Sequence, residues 1–203
     1  MGPEALAALR GSDPIIGALI DKLGDLDRRA AGRPPDAYGA LVRSIVGQQL
    51  STAAARTIHG RLLAIFDGHT PSPAELLAAD SDAVRAAGLS RPKIAYLRDL
   101  AARVIAGELD LERLGERSDE EVSTQLTAVK GLGQWTADMF LIFHLGRPDV
   151  LPAGDLGIRR AVARAYSLDQ LPAPERLREI AERWRPQRSL ASLYLWRSLD
   201  ARG

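Results

Sequence analysis

The segment Val129-Lys130-Gly131-Leu132-Gly133-Gln134-Trp135-Thr136-Ala137 has the most chemical content in the chain. Two glycines one residue apart permit the positive-φ or crowded backbone of a tight hairpin. A helix entered at about Gly133 leaves amide N–H groups pointing outward, a setting suited to a phosphate oxygen. An ordinary turn between two helices, closed by a glycine cap, would carry the same residues. Downstream, Asp155 follows Gly154 and precedes an apolar-periodic run from Leu156 to Tyr166. Aspartate at that place is an efficient N-cap, worth ~1 kcal/mol, and the helix N-terminus favours its negative charge. A carboxylate fixed in this way can also stabilise positive charge developing on a substrate. The two roles are compatible.

Composition removes several chemistries. There is no cysteine, which excludes disulfides, a thiol nucleophile, an iron–sulfur cluster and a thiolate zinc site. Three histidines (His59, His69, His144) give poor support for a multi-histidine metal site. Lys and Arg number 27 against 26 Asp and Glu, so the net charge of +1 announces no nucleic-acid partner. The total hides an asymmetry: residues 156–203 hold ten Arg, no Lys and five acids, a net +5. Taken alone, this reads as a solvated helical surface. Trp184, four residues after Ile180, reads as core, and Asp138 as a polar surface residue.

These groups must be carried by helices. Asp13-Pro14 opens a helix over 15–23, Asp36 one through Leu41, Val42, Ile45 and Val46, and Ser51 one over 52–66. In the last, Ile58, Leu62, Ile65 and Phe66 follow helical spacing. Ser72-Pro73-Ala74-Glu75 and Ser118-Asp119-Glu120-Glu121 fit capping boxes. Ile94, Leu97, Val104 and Ile105 mark a helix from about Pro92 to Ala106. Further helices are expected over 133–145, 156–166, 174–184 and 188–200. No period-2 strand is evident, so the class is all-α. Arg33-Pro34-Pro35 and the segment 146–154 are the expected bends, each a candidate lobe boundary. The first ten residues have no signal-peptide pattern, and no run reaches ~18 apolar residues. A cytoplasmic protein without a membrane partner is expected.

The Val-x-Gly-Leu-Gly-x-x-Thr-Ala pattern at 129–137, then Met139-Phe140-Leu141-Ile142-Phe143 and a loop to Gly154-Asp155, resembles a known signature. It is the helix-hairpin-helix, Gly/Pro-rich loop and Asp of base-excision DNA glycosylases, the HhH-GPD superfamily. Arg43-Ser44-Ile45-Val46-Gly47-Gln48-Gln49-Leu50-Ser51 is similar to the DNA-facing turn of that superfamily. Arg188-Ser189-Leu190-Ala191-Ser192-Leu193-Tyr194-Leu195-Trp196 is similar to the last helix of the 3-methyladenine DNA glycosylase II family. The resemblance runs from about Pro35 to the C-terminus. Without cysteine, the cluster-bearing endonuclease III-like and adenine-mismatch branches are not close relatives.

The resemblance implies a single HhH-GPD domain over 1–203, a two-lobed helical bundle with its active-site cleft between the lobes. The hairpin would span about 120–145. The reaction implied is hydrolysis of the bond between base and deoxyribose, with Asp155 as catalytic carboxylate facing the positive sugar. Trp135 stands where relatives that also cleave the backbone place a Schiff-base Lys, which implies a monofunctional glycosylase without lyase activity. Trp135 and Trp196 match aromatic pocket positions that would stack on a cationic base. Met139 and Leu156 depart from the family, standing where the better-known bacterial enzyme has tyrosines. Less π-surface weakens discrimination for flat cationic rings, while Met tolerates varied shapes.

By the same resemblance Gln48, Gln49, Leu50 and Ser51 form the turn that enters the duplex, with Gln49 foremost as wedge. Leu50 as core and Ser51 as simple helix cap is the alternative. Arg91, Lys93 and Lys130 would contact phosphate, with Gly131, Gly133, Gln134 and Thr136 completing the hairpin's DNA face. Main-chain carbonyls of Thr127, Val129 and Gly131 would hold a structural Na+ or K+; no other cofactor is implied. The expected partner is double-stranded DNA containing alkylated bases, and the expected state a monomer, nucleoid-associated if bacterial. Two other readings stand: a non-catalytic helix-hairpin-helix DNA-binding protein, and a glycosylase for deaminated or mismatched bases.

Overall fold

The computed structural model describes residues 3–24, 26 and 36–200. In chain order its helices are α1 (Pro3–Ser12), α2 (Pro14–Leu23), α3 (Ala37–Gly47), α4 (Thr52–Ile65), α5 (Pro73–Ala78) and α6 (Ser81–Ala86). They continue as α7 (Arg91–Ile105), α8 (Asp119–Thr127), α9 (Gln134–Met139), α10 (Leu156–Ala165), α11 (Pro174–Ala181) and α12 (Arg188–Asp200). Among the described residues there is no strand, and no helix is long and apolar enough to cross a membrane.

The starts follow local chemistry. Side chains of Asp13, Asp36, Ser51, Ser90 and Asp155 each accept an amide hydrogen bond at the head of their helix. Ser72 with Glu75 and Ser118 with Glu121 form both expected capping boxes. Two helices escape the apolar spacing. In α1 only Leu9 is buried, and in the six-residue α6 only Val84, so neither has a face for periodicity to reveal. The expected helix over 133–145 changes register: α9 passes into a π-helical turn, Phe140–His144. Likewise, α11 closes in a 3-10 turn at Glu182–Trp184.

The chain forms two compact units. One comprises Met1–Gly32 with Leu141–Gly203, the other Arg33–Phe140. The passage from second to first therefore falls inside the π-helical turn, just ahead of the bend expected at 146–154. Arg33-Pro34-Pro35, the other expected bend, lies outside the described residues. In the first unit Ile16, Ile20, Ile158, Val162, Leu177, Trp184 and Leu195 pack into one core. Leu41, Ile45, Leu62, Leu97, Leu100 and Leu126 are fully buried in the second. Trp184 is core, as its spacing predicts.

The basic end is interleaved with acids. Arg176, Arg178, Arg185, Arg188 and Arg197 face Glu179, Glu175, Glu182, Asp149 and Asp200. Four of these acids are already counted in the net +5, so the pairs leave the total unchanged but place charge of both signs side by side, and the exposed ones contribute little to stability.

Candidate functional site

In the first unit, Asp155 caps α10: its Oδ1 accepts the Ile158 amide at 2.7 Å. The same oxygen accepts Trp196 Nε1–H from α12 at 2.9 Å. The carboxylate is thus set by its own helix and by an indole 41 residues away. Gly157 makes the pairing sterically feasible, because a Cβ there would lie 3.0 Å from Asp155 Oδ1 and 3.3 Å from the indole. Trp196 also stacks on Phe143 of the π-helical turn, with centroids 5.8 Å apart. A π-turn realigns the side chains that follow it, here the residues carrying an aromatic wall. Leu156 is exposed beside the carboxylate.

The loop leading to Asp155 is fastened to the start of α12. Arg188 forks onto Asp149, with Nε to Oδ1 at 2.7 Å and Nη2 to Oδ2 at 3.0 Å. Its Nη2 also donates to the Asp149 carbonyl, and Arg185 Nη1 reaches Asp149 Oδ2 at 2.7 Å. The Val150 amide donates to Ser189 Oγ. Bidentate guanidinium–carboxylate pairing fixes orientation as well as distance, so the approach to Asp155 is stiff.

In the second unit, Gly131 has φ +79 and lies over Tyr96 of α7; a Cβ would sit 2.2 Å from the ring. Only glycine allows both. Asp99 of α7 anchors the hairpin by accepting the Lys130 amide at 2.9 Å and Arg103 Nε at 3.0 Å. Burial raises its pKa, but these partners outweigh that and hold the carboxyl below its ordinary value. Lys130 Nζ is exposed, 3.6 Å from the same carboxylate. Gly133 caps α9 without a side chain, and Trp135 is 49% exposed, far from the core role a helical Trp often plays. Met139 is half-buried.

The turn after α3 is strung from its neighbours. Gln48 Nε2 donates to the Gly131 carbonyl at 2.8 Å, tying turn to hairpin. Lys93 Nζ donates to the carbonyls of Val46 and Gln48 at 2.8 and 2.7 Å. These carbonyls end α3 and lack helical partners, and a cation suits that end of the helix. Burial lowers the Lys93 pKa. Gln49 holds φ +57, an uncommon conformation for a side-chain-bearing residue. Leu50 is 37% exposed, so it is not core, and Ser51 caps α4.

Several expected residues are placed differently from their sequence reading. Asp138 is buried rather than a surface residue, and its Oδ1 accepts Gln134 Nε2 at 2.8 Å. Thr136 is buried, and the Gln134 amide is engaged within the protein. Lys93 spends two donors on the turn itself, while Arg91 is exposed at the first position of α7. Asp99, Tyr96, Phe143 and Gly157 were not singled out; only Gly157, two residues after Asp155, carried a local signal. No group of three or more His, Cys, Asp or Glu able to hold a metal occurs among the described residues.

A helix-hairpin-helix region with an exposed tryptophan in one unit, and a helix-capping aspartate in the other, define a class. Residues 42–187 match the HhH-GPD superfamily of base excision DNA repair proteins, and the chain belongs to that superfamily. It is 34% identical over 192 residues to DNA-3-methyladenine glycosylase 1 of Schizosaccharomyces pombe, spanning 94% of this chain and 84% of the relative. The solved 3-methyladenine DNA glycosylase of that yeast, in complex with abasic DNA, matches with TM-score 0.88 at 33% identity over 98% of both chains. A DNA-3-methyladenine glycosidase of Bacillus halodurans also gives TM-score 0.88, at 34% identity over 98% of this chain and 90% of that one.

Proposed function

We propose that this chain is a DNA glycosylase that removes alkylated purines, 3-methyladenine foremost, from duplex DNA by hydrolysis, as a step of base excision repair. The observation that carries this reading is Asp155, held through Oδ1 by the Ile158 amide and the Trp196 indole while remaining only half-buried. Breaking the glycosidic bond leaves positive charge on the sugar. A pre-oriented carboxylate stabilises that charge without reorganising, and orients or deprotonates the attacking water. N-alkylation makes the purine a good leaving group, so one carboxylate suffices.

The base must first leave the stack, at a cost of a few kcal/mol. The 48–51 turn, with Gln49 at its tip, would fill the gap. Trp135, Met139, Leu156 and Trp196 would receive the base, the indoles by stacking and cation–π attraction. The hairpin at 129–133 and Lys130 would grip phosphate. With Trp at 135 there is no Schiff-base amine, so no strand cleavage is expected. A Na+ or K+ at the carbonyls of Thr127, Val129 and Gly131 fits their chemistry, neutral oxygens around a tight turn. Gly131 and Val129 each already accept one bond, from Gln48 and Leu132, leaving a second lone pair apiece. Such an ion would add positive charge near a bound phosphate. The protein would act as a monomer.

The test incubates the protein with N-methylated duplex DNA and identifies released bases, with Asp155→Asn alongside. Release of 3-methyladenine, abolished by the substitution and without strand scission, is expected. Release unchanged in the variant overturns the mechanism. Binding without release favours a non-catalytic DNA-binding protein, and release of deaminated or mismatched bases instead moves the substrate class.

A further inference from the structure

Within the second unit, α3, the following turn and α4 enclose a pocket of about 260 Å³. Arg43 and Gly47 line it from α3, Leu50 from the turn, and Thr52, Arg56 and His59 from α4. Among the described residues no carboxylate lines it. His59 Nε2 is shielded from solvent and has no hydrogen-bond partner. A buried polar atom without a partner calls for one from outside the fold. Burial, and next the charge of Arg43, lower the His59 pKa, so the ring is neutral at neutral pH and offers one N–H.

Two guanidiniums, a hydroxyl and an imidazole, with no acid among the described lining residues, select an anion. Guanidinium geometry matches phosphate oxygens. Leu50, Gly47 and Ala55 add an apolar wall that a free anion does not need and a deoxyribose can cover. Leu50 also belongs to the exposed turn, so whatever the turn touches passes the pocket's mouth. We propose that this pocket binds a backbone phosphate of the DNA strand lying against the 48–51 turn, with Arg43 and Arg56 pairing its charge and His59 Nε2 donating to one oxygen. The inference rests on the chain being a DNA-binding protein, and not on its catalysing base release.

The experiment measures binding of a fluorescein-labelled duplex containing an abasic-site analogue from 50 to 200 mM salt. Each phosphate contact adds about 0.9 to the slope of log K against log salt. Arg56→Gln and Arg43→Gln are each expected to flatten that slope by up to about 0.9, making the loss of affinity across the range about 3-fold smaller. Arg56→Lys keeps the charge and should keep most of the slope. His59→Asn removes only a neutral partner, so it should weaken binding several-fold at every salt concentration with the slope unchanged. Arg113→Gln, which removes an exposed partner of Glu116, is the control. Unchanged slopes in both pocket variants, with native circular dichroism, overturn the proposal, as does an equal change in the control. Saturable binding of inorganic phosphate alone, followed by phosphorus NMR and lost in Arg56→Gln while duplex binding is retained, assigns the pocket to a free anion and overturns it too. Base release measured on the same preparations separates the two readings: altered slopes without release would retire the glycosylase and keep the pocket.

Discussion

Asp13 and Asp155 are the same local device used twice in the first unit. Each stands at the head of a helix, each carboxylate accepts a backbone amide of the first turn, and each receives an indole N–H, from Trp184 and Trp196 respectively. Their surroundings differ. Asp13 is fully buried and accepts the amides of Ile15 and Ile16, Trp184 Nε1 and the Tyr166 hydroxyl. Burial, then the bond to Asp13, push the Tyr166 hydroxyl far up, so it stays a donor. Four donors match the four lone-pair sites of a carboxylate. Asp155 is half-buried, flanked by exposed Leu156 and by Gly157, whose missing side chain leaves room for the indole. Cap and indole together therefore do not mark a reactive group. Enclosure decides which carboxylate serves the fold and which can face a ligand.

Four measurements break or sharpen this comparison. Asp13→Ala leaves buried donors without an acceptor and should cost about 3–5 kcal/mol, read by urea unfolding, with base release per folded molecule unchanged. A comparable loss of rate would merge the two roles. Asp155→Asn should lower the single-turnover rate by about 10²–10³-fold, while stability moves by no more than about 1 kcal/mol, because asparagine still caps. Next come the indoles. Trp196→Phe keeps a ring against Phe143 but deletes the bond to Asp155, so the rate should fall about 10-fold, as for a lost bond to a charged group. Trp184→Phe should instead lower the melting temperature and leave the rate alone. The smallest effect is expected at Asp99, in the other unit. Its carboxyl is held below the ordinary value, so its contribution is present above the unfolded value near ~3.9 and is lost as pH falls through the folded one. Hydrogen exchange at the Lys130 amide should accelerate in that acid window relative to neighbouring amides, and Asp99→Asn should remove the pH dependence.

Much of the fold was legible because capping is local. Asp13, Asp36, Ser51, Ser72, Ser118 and Asp155 announce their helices through bonds spanning two or three residues. The glycine hairpin was legible for a similar reason, although Tyr96 beneath Gly131 is a stronger cause than turn geometry alone. Less could be read of what holds the site. Gln48 reaches Gly131 across 83 residues, Lys93 reaches Gln48 across 45, and Asp99 reaches Lys130 across 31. No spacing rule covers such separations. Asp138 looked like surface because its neighbours in sequence say nothing of its burial. The pairing within the basic end was illegible for the same reason: a charge count cannot see Arg188 forked onto Asp149.

The amino-acid sequence by itself determined an all-α chain, the absence of cysteine chemistry, a glycine hairpin and an aspartate presented at a helix head. The second follows from composition, and the others from interactions within one turn of helix. Only the tertiary structure decided which aspartate is enclosed, which tryptophan supports which carboxylate, and which polar side chains gather around the pocket between α3 and α4. Burial and pairing depend on which distant segments pack together, and a linear pattern carries that information only weakly.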